Sequence, residues 1–338
     1  MIEETLGRLA AGEDLSMDDT SRAVEAIMLG LCADSEIGLL LSGLHLKGET
    51  VAEIAGAASA MRRHMTPIHT SREGVLDTCG TGGDGSATFN ISTAAALVAA
   101  AAGAPVAKHG NRRVTSTCGS ADVLAVLGVN IEASVPLVEA CLDELGICFC
   151  FAPLLHGAMK NVAHVRQQLG VPTIFNLLGP LSNPARAPFQ LVGVGRAELR
   201  PVLAEALAML GIARAVVVNG EDGLDEVTLN GTTKVTEVHA GRVRDFTWHP
   251  YDFGLEPSSL ESMRVSGAEE SASMIRDVLA GRPGPQRDIV VLNAAAALWT
   301  AERAPTTADG ALLAAEAIDS GAAGTLLARL VQKTNARS

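Results

Sequence analysis

The first candidate for chemistry in this sequence is a glycine-rich run that follows an apolar segment, Asp77-Thr-Cys-Gly-Thr-Gly-Gly-Asp-Gly-Ser-Ala-Thr-Phe-Asn-Ile-Ser-Thr93. Glycines at 80, 82, 83 and 85 leave backbone amides open, and a helix N-terminus behind them would attract an anion such as phosphate. Neither the Walker pattern nor a clean GxGxxG pattern is present. The loop residues alone therefore leave two alternatives open, a phosphate-binding loop and a merely tight turn.

The polar residues that end this run stand where a helix would begin. Asn90 is typical of a helix N-cap. The hydroxyls of Ser92 and Thr93 could instead face a phosphate or a metal ion. Both interpretations can hold for neighbouring residues, so we expect a helix start that also contacts ligand.

A second cluster, Lys108-His-Gly-Asn-Arg112, ends a short apolar segment. In α/β sheets, side chains at strand ends are the ones that bind ligands. Two cations, an amide and a glycine in five residues, then Thr115, Ser116 and Ser120, are compatible with an anion clamp or with a solvated basic loop. Because the protein is otherwise acidic, concentrating cations at a strand end favours the clamp.

Two adjacent carboxylates, Asp225 and Glu226, follow the apolar segment 215–219. Hard oxygen ligands of this kind suit Mg2+, which often bridges to substrate phosphates. An acidic surface turn explains the same composition, and by composition alone it is favoured over a metal site. Glu221 and Asp222 are assigned to such a turn.

The segment from His156 to Arg166 carries several polar side chains at helical spacing. We expect His156, Lys160 and His164 to share one helix face, with Arg166 turned further round. A bidentate arginine would suit a substrate carboxylate. The spacing alone favours an ordinary polar helix face.

The elements that must position these residues divide the chain into two parts. Residues 1–70 have helical periodicity throughout, with a capping box at Thr50-Val-Ala-Glu53. Beyond them, strands alternate with helices, which indicates a largely parallel sheet. The predicted fold class is α/β, with a small all-helical N-terminal domain (1–70, joined by part of 155–190) and a larger α/β domain (71–338) around a central, mostly parallel sheet. The expected strands are 105–108, 147–151, 190–194, 215–219 and 234–238.

Composition narrows the function classes. The 338 residues carry a formal net charge of −12, which makes general binding to nucleic acid or to an anionic membrane surface a poor expectation. Six cysteines without a CxxC pair are expected to be reduced thiols of a cytoplasmic protein. No signal peptide is expected, and the apolar stretch 91–107 is predicted to be a buried helix and strand rather than a membrane span.

Taken together and in this order, the clusters resemble the anthranilate phosphoribosyltransferases of tryptophan biosynthesis. The resemblance covers nearly the whole chain, and the glycine loop with the lysine box is highly specific to that family. The matching motifs are Gly80-Thr-Gly-Gly-Asp84, Asn90-Ile-Ser-Thr93, Lys108-His-Gly-Asn-Arg112, Arg166, Thr173-Ile-Phe-Asn-Leu-Leu-Gly-Pro-Leu-Ser-Asn-Pro-Ala185, Asp225-Glu226 and Asn293-Ala-Ala-Ala-Ala-Leu298.

The resemblance implies an enzyme that joins anthranilate to phosphoribosyl pyrophosphate (PRPP), with two Mg2+ ions, in a cleft between the domains of a homodimer paired through its helical domain. The larger domain, 71–338, would be the phosphoribosyl-binding one. Lys108 and Arg166 are implied as catalytic residues, and Arg166 would meet the anthranilate carboxylate. The implied PRPP-binding residues are Gly80, Gly82, Gly83, Asp84, Thr88, Asn90, Ser92, Thr93, Lys108, Ser116 and Ser120. The implied anthranilate-binding residues are Gly80, His109, Asn111, His156 and Arg166, and the implied metal ligands are Ser92, Asp225 and Glu226.

The chain departs from the family pattern at a few positions. Arg113 and Thr117 replace a small residue and often a lysine, Gly157 and His164 stand where proline is usual, and Ser271 replaces an asparagine. Two other functions remain as alternatives, a pyrimidine nucleoside phosphorylase of the same fold class and a non-catalytic nucleic-acid-binding paralogue. The first would carry a different lysine motif, and the second would need a basic groove and a degraded acidic pair, neither of which is found in the sequence.

Overall fold

The structure is a computed structural model that describes residues 2–112 and 119–336. Its helices are α1 Glu3–Ala10, α2 Met17–Met28, α3 Asp34–Lys47, α4 Val51–His64, α5 Ile91–Ala101, α6 Ser120–Val126, α7 Val135–Leu145, α8 Ala152–Leu155, α9 Lys160–Leu169, α10 Leu199–Met209, α11 Ala268–Leu279, α12 Pro285–Thr300, α13 Thr307–Asp319 and α14 Ala322–Thr334. Its strands are β1 Leu76–Gly80, β2 Val106–Gly110, β3 Ile147–Phe151, β4 Phe189–Gly193, β5 Arg214–Gly220, β6 Thr233–His239 and β7 Arg242–Trp248.

The strands form one sheet in the order β3-β2-β1-β4-β5-β6-β7. The pairs from β3 to β5 are parallel, and β6 and β7 pair antiparallel at one end. The predicted α/β fold class with a mostly parallel sheet is confirmed. Strand β7 was not predicted, because its side chains are largely exposed and it lacks the apolar run that marks a buried strand.

Helix α4 begins where the capping box in the sequence predicts. Thr50 caps α4 by accepting a hydrogen bond from the amide of Glu53, and the Glu53 carboxylate accepts one from the amide of Thr50 at 2.8 Å. Helix α9 packs against α2 and α3, with Val162 and Val165 buried in the same apolar cluster as those helices. The boundary at residue 70 stays a prediction.

Small side chains build the layer behind the functional end of the sheet. Helix α5 is nearly all alanine, valine and leucine, and it is buried between β1, β2 and the apolar helix α12. Because alanine lets helices approach closely, few aromatic side chains are needed to fill this core. The N-terminus of α5 is thereby held directly behind the glycine-rich loop.

In the part of the chain that the structure describes, no single helix is both long and apolar enough to cross a membrane. Helices α13 and α14 pass that test of length and composition only as a pair, with a bend of 64° between them.

Candidate active site

One cleft gathers the glycine loop, the lysine box and the acidic pair at the carboxyl ends of β1 and β2. Its volume is about 410 Å³, within the usual range for small-molecule sites. Strand ends of a parallel sheet meet at one edge, which is why segments far apart in sequence converge here. The lining includes Gly80, Gly82, Asp84, Thr88, Asn90, Ser92, Lys108, His109, Asn111, Ser120, Asp225 and Glu226.

The glycine loop needs glycine for its backbone shape. Gly82, Gly83 and Gly85 have φ angles of 67°, 83° and 69°, in the left-handed region that L side chains rarely adopt. Gly80 lies where a Cβ would stand 3.1 Å from Asp225 Oδ2. The loop is therefore packed directly against the acidic pair, which sequence reasoning treated as a separate cluster.

Two further glycines, missed by sequence reasoning, let the acidic pair come this close. A Cβ on Gly193, at the end of β4, would stand 1.6 Å from the Asp225 carbonyl oxygen, and one on Gly195 would stand 2.8 Å from the Asp84 amide nitrogen. Both distances exclude any side chain. The signal in the sequence was a pair of glycines two residues apart at the end of the predicted strand 190–194.

The start of α5 is the predicted helix cap. Asn90 Oδ1 accepts a hydrogen bond from the amide of Thr93 at 3.2 Å, and the Asn90 amide donates to Ser271 Oγ at 2.9 Å. Ser271 is buried and accepts this hydrogen bond. The serine that departs from the family pattern therefore helps to hold the cap residue in position. The Thr93 side chain is buried, and its hydroxyl has no partner among the described residues.

Lys108 lies at the centre of the cleft floor. Its ammonium group donates to the Thr78 carbonyl at 2.6 Å and to Ser92 Oγ at 3.1 Å. Burial lowers the pKa of Lys108, and the nearby acidic side chains, with Asp77 and Glu226 foremost, act against that shift. A buried cation among hydrogen-bond acceptors is arranged to meet an anion.

The acidic pair faces Lys108 across the cleft. Asp225 and Glu226 lie in the loop after β5, a few residues beyond the strand end where they were expected. Burial, followed by repulsion from Asp84 and the neighbouring acid, raises the pKa of Asp225 well above its usual range. Burial also raises the pKa of Glu226 to about 7, although the Ser92 amide donates to Glu226 Oε1 at 3.0 Å.

This excess of carboxylate at the cleft fits a hard divalent cation. Among residues 2–112 and 119–336, no three acidic, histidine or cysteine side chains are close enough to enclose a metal alone. Mg2+ keeps water and substrate phosphate oxygens among its ligands, so one or two carboxylates suffice. Asp84, predicted only for PRPP, belongs to the same acidic group.

His109 and His156 form a buried pair beside the lysine. His109 Nδ1 lies 3.1 Å from the Gly179 carbonyl oxygen, and the two Nε2 atoms are 3.1 Å apart. Because a carbonyl only accepts, His109 carries its proton on Nδ1, and His156 Nε2 must donate to His109 Nε2. Burial lowers the pKa of His109 to about 4 and that of His156 to about 3, so both rings are neutral at pH 7.

The predicted helix face of His156, Lys160 and His164 is wrong. His156 precedes α9 with a non-helical backbone and turns inward to His109, while Lys160 and His164 lie on α9 and are exposed. A glycine at 157 and a short 3-10 turn interrupt the helical spacing. The periodicity assumed one helix where the chain makes two short elements.

Arg166 lies on α9 and is half-buried. Its guanidinium donates to Asn176 Oδ1 at 3.3 Å and lies 5.6 Å from the centre of the Phe175 ring. Burial lowers its pKa, and it does not line the cleft described above. Its guanidinium has no carboxylate partner among the described residues.

The structure thus brings most of the sequence-predicted residues together. Gly83, Thr93, His156 and Arg166 lie outside the cleft lining. Ser116, with Arg113, Thr115 and Thr117, lies outside the described residues. Sequence reasoning left out Cys79, Phe89 and Arg112 as site residues, although all three line the cleft and Arg112 stood in the lysine box.

Comparisons with known proteins agree with this geometry. The model of the glycosyl transferase family a/b domain matches residues 72–324, and the model of that family's helical bundle domain matches residues 3–65. Anthranilate phosphoribosyltransferase of Moorella thermoacetica is 48% identical over 331 residues, which are 98% of each chain. That of Trichlorobacter lovleyi is 46% identical, covering 99% of this chain and 100% of its own.

Solved structures give the same result. Anthranilate phosphoribosyltransferase from Thermus thermophilus superposes with a TM-score of 0.92 at 43% identity, covering 98% of this chain and 99% of its own. The Saccharomyces cerevisiae enzyme in complex with PRPP and Mg superposes with a TM-score of 0.89 at 30% identity, covering 98% and 97%.

Proposed function

The chain belongs to the glycosyl transferase family of these two domains and, within it, to the anthranilate phosphoribosyltransferases, and from that premise we propose how its cleft works. The enzyme transfers the phosphoribosyl group of PRPP to the amine of anthranilate, giving N-(5-phosphoribosyl)anthranilate and pyrophosphate in tryptophan biosynthesis. The observation that carries the proposal is the convergence of loop amides, a buried lysine and crowded carboxylates on one cleft. Neither a phosphorylase nor a nucleic-acid-binding function is favoured by any feature of that cleft.

We assign the PRPP side of the cleft to the glycine loop and its neighbours. Loop amides and the N-terminus of α5 would face the phosphates, with Lys108 near the pyrophosphate. The full proposed set is Gly80, Gly82, Gly83, Asp84, Thr88, Asn90, Ser92, Thr93, Lys108, Ser116 and Ser120. Support comes from the exposed backbone of the loop and from the position of the Lys108 ammonium group.

Mg2+ is expected at the acidic pair, since the yeast relative is known in complex with PRPP and Mg. We propose that Ser92, Asp225 and Glu226 hold two ions, with the crowded carboxylates of this chain as support. When bound, Mg2+ stabilises the negative charge that develops on a departing pyrophosphate.

The anthranilate side is assigned to Gly80, His109, Asn111, His156 and Arg166. Arg166 would meet the substrate carboxylate, because it is a half-buried guanidinium with no carboxylate of its own among the described residues. Both nitrogens of His109 are already engaged, so its ring offers a wall and not a base. A neutral wall leaves the aromatic amine unprotonated and nucleophilic.

The chemistry follows from these surroundings. The amine attacks the anomeric carbon of the ribose as the bond to pyrophosphate breaks, and the product amine then loses a proton to a pyrophosphate oxygen or to solvent. Lys108 and the loop amides stabilise the leaving group, and holding the amine in line supplies much of the remaining acceleration. No nucleophile–base pair is required, so Lys108 and Arg166 act by charge and position.

The direct test is a fluorescence assay of anthranilate consumption with and without PRPP and Mg2+. We expect consumption only when both are present. Phosphate-dependent cleavage of thymidine or uridine in place of this activity would contradict the assignment.

We also propose a homodimer paired through the helical domain, in which α3 takes part. Leu39 and Leu46 are 62% and 85% exposed and lie two turns apart on one face of α3, so together they form an apolar stripe that a second subunit could cover. A Leu39→Glu/Leu46→Glu variant should then run as a monomer in sedimentation, while Leu312→Glu, an exposed leucine in the α/β part, should not change the assembly. A monomeric native protein would reject the proposal.

We further propose that the enzyme works in the cytoplasm and that the domains divide at residue 70, with part of 155–190 in the helical domain. Free thiols at Cys79, Cys141, Cys148 and Cys150 support a reducing compartment. Fractionation of native cells, and limited proteolysis near residue 70, would test these two statements separately.

A further inference from the structure

Beneath the histidine pair lies a buried polar cluster that the proposed mechanism does not use. Asp77 on β1 and Gln190 on β4 are 0% and 1% exposed. The two residues are direct partners in the parallel register of these strands, so their side chains leave the same face of the sheet side by side. Neither lines the cleft.

Three hydrogen bonds run between this cluster, the backbone carbonyls of residues 179–180 and His109. The His109 amide donates to Asp77 Oδ1 at 3.0 Å, and His109 Nδ1 donates to the Gly179 carbonyl at 3.1 Å. Gln190 Nε2 donates at 2.8 Å to the carbonyl of Pro180, the residue that follows Gly179. The side chains of Asp77 and Gln190 themselves are not joined by any hydrogen bond among the described residues.

Each of these two side chains has one oxygen left without a hydrogen-bond donor in the described part of the chain. Asp77 Oδ2 and Gln190 Oε1 are both buried, and neither has a hydrogen-bond partner among the described residues. The Gln190 amide cannot simply be turned round, because its nitrogen is needed at the Pro180 carbonyl. Because the two residues are partners in register across β1 and β4, these buried acceptors belong to neighbouring side chains on one face of the sheet. A buried acceptor without a donor is costly, and one proton on the carboxyl, shared with Gln190 Oε1, would satisfy both.

We propose that Asp77 is a positioning residue for the amine side of the site, and that a proton on its Oδ2, donated to Gln190 Oε1, closes a ring of hydrogen bonds that fixes the His109 imidazole. The ring runs from the His109 amide through Asp77, Gln190 and the 179–180 carbonyls back to His109 Nδ1. The role of this ring rests on the proposed anthranilate side, whereas the proton on Asp77 does not.

The charges around Asp77 are consistent with a neutral carboxyl. Burial raises its pKa, although Asn183, the His109 amide and Lys108 act in the opposite direction. The side chain of Lys108 leaves the opposite face of the sheet, since it is the next residue to His109 on β2. Cys79, two residues along β1, and Cys148 on β3 are further titratable neighbours. The Cys79 thiol also acts to lower the pKa of Asp77, but burial raises the pKa of that thiol, and a hydrogen bond with Cys150 followed by burial raises the pKa of Cys148, so neither brings a charge at pH 7.

The proton can be observed directly. An infrared difference spectrum between wild type and Asp77→Asn, with aspartate isotope-labelled, should contain at pH 7 the carbonyl stretch of a protonated carboxyl. Only a carboxylate signal in its place would overturn the protonated state. This readout does not depend on activity, so it stays decisive even if the wild type fails to consume anthranilate, which would instead reject the proposed function.

Kinetics test the positioning role. Asp77→Ala should raise KM for anthranilate by about tenfold, the cost of losing one buried hydrogen-bond link, with KM for PRPP nearly unchanged. Asp77→Asn can still accept from the His109 amide and donate to Gln190, so it should restore most of the lost anthranilate affinity. Asp18→Asn, at an exposed aspartate on α2, is the matched control and should behave as wild type.

Gln190→Leu breaks the same ring of hydrogen bonds from strand β4. It replaces Asp77→Ala as the test if that variant does not fold. Its KM for anthranilate should rise as in Asp77→Ala, and the double variant should be no worse than either single one, because one ring is broken in each case. If Asp77→Asn raised KM for anthranilate as much as Asp77→Ala does, the negative charge of Asp77 would be the property that matters, and not a proton on its carboxyl. Unchanged anthranilate KM in both Asp77→Ala and Gln190→Leu would remove the positioning role.

Discussion

The two sides of the cleft differ in charge although a single strand serves both. Lys108 and His109 are neighbours on β2, and in a strand successive side chains leave opposite faces. The lysine faces Ser92 and the acidic pair, whereas the histidine faces Gly179 and His156. One side therefore concentrates charge, and the other is buried and neutral.

This difference matches the two substrates. PRPP brings phosphates and a leaving group that becomes more negative, so its side needs cations, amides and metal ligands. Anthranilate must attack as a neutral amine, so a desolvated wall of neutral imidazoles suits it better than a charged base. In the proposed assignment, Arg166 on the separate helix α9 would bring a positive charge to the amine side.

The largest effect should come from removing the charge on the PRPP side. Asp225→Ala/Glu226→Ala should lower turnover with PRPP by about a thousandfold or more, because metal-assisted departure of pyrophosphate is lost. The same variant should have a higher Tm, since burial, followed by repulsion from Asp84, raises both pKa values in the native protein. Calorimetry and the fluorescence assay measure the two effects, and exposed Glu221→Ala is the control. Turnover at the wild-type level in Mg2+ would show that the metal assignment is wrong.

The second largest effect should fall on anthranilate and leave PRPP nearly unaffected. Arg166→Ala should lower kcat/KM for anthranilate by about a hundredfold, because a buried substrate carboxylate would lose its partner, while KM for PRPP stays close to wild type. Steady-state kinetics with each substrate varied in turn measures the difference. Lys160→Ala, at an exposed residue of the same helix, should change neither value. Equal loss for both substrates would remove the carboxylate-binding role.

The neutral histidine pair should also affect how the free energy of unfolding changes with pH in the acid range. His109 and His156 have native pKa values of about 4 and about 3, below the ordinary histidine value, so between about pH 6.5 and 4 the unfolded chain binds protons that the native protein does not. The contribution of these two rings to the free energy of unfolding is therefore fully present above about pH 6.5 and is lost as the pH falls. His156→Gln should flatten this slope by about 1.4 kcal/mol per pH unit in denaturant titrations.

Exposed His45→Gln serves as the control for that slope, because its ring is solvated in both states. An unchanged slope in His156→Gln would mean that this ring is charged or solvated in the native protein.

The smallest effect should come from the support behind the PRPP side. Ser271→Ala leaves the Asn90 amide without its acceptor, so KM for PRPP should rise by about fivefold, with KM for anthranilate unchanged. Ser271→Asn, which introduces the residue usual in the family, should retain an acceptor and stay nearer to wild type. If both variants shift the two KM values alike, Ser271 has only a general packing role.

Local sequence signals predicted the parts of this site that depend on local geometry. Asn90 was expected to cap α5 and does so, because a cap requires only the residues that follow it. The helical periodicity from His156 onward gave a wrong prediction. The short 3-10 turn that begins at Gly157 interrupts the helix, so the His156 imidazole points into the core. Periodicity carries no information about such a break when the polar residues still recur at the expected interval.

The amino-acid sequence by itself determined the α/β class, the glycine loop, the lysine box and, through its motifs, the family. These features are encoded in contiguous residues, whose backbone freedom and side-chain types do not depend on distant partners. Only the tertiary structure decided that Gly193 and Gly195 admit the acidic pair to the loop, that Ser271 holds Asn90, and that His109 meets His156. Each of these contacts joins segments that are far apart in the sequence. They meet because parallel strands bring their ends to one edge of the sheet, where helices such as α11 then pack against them.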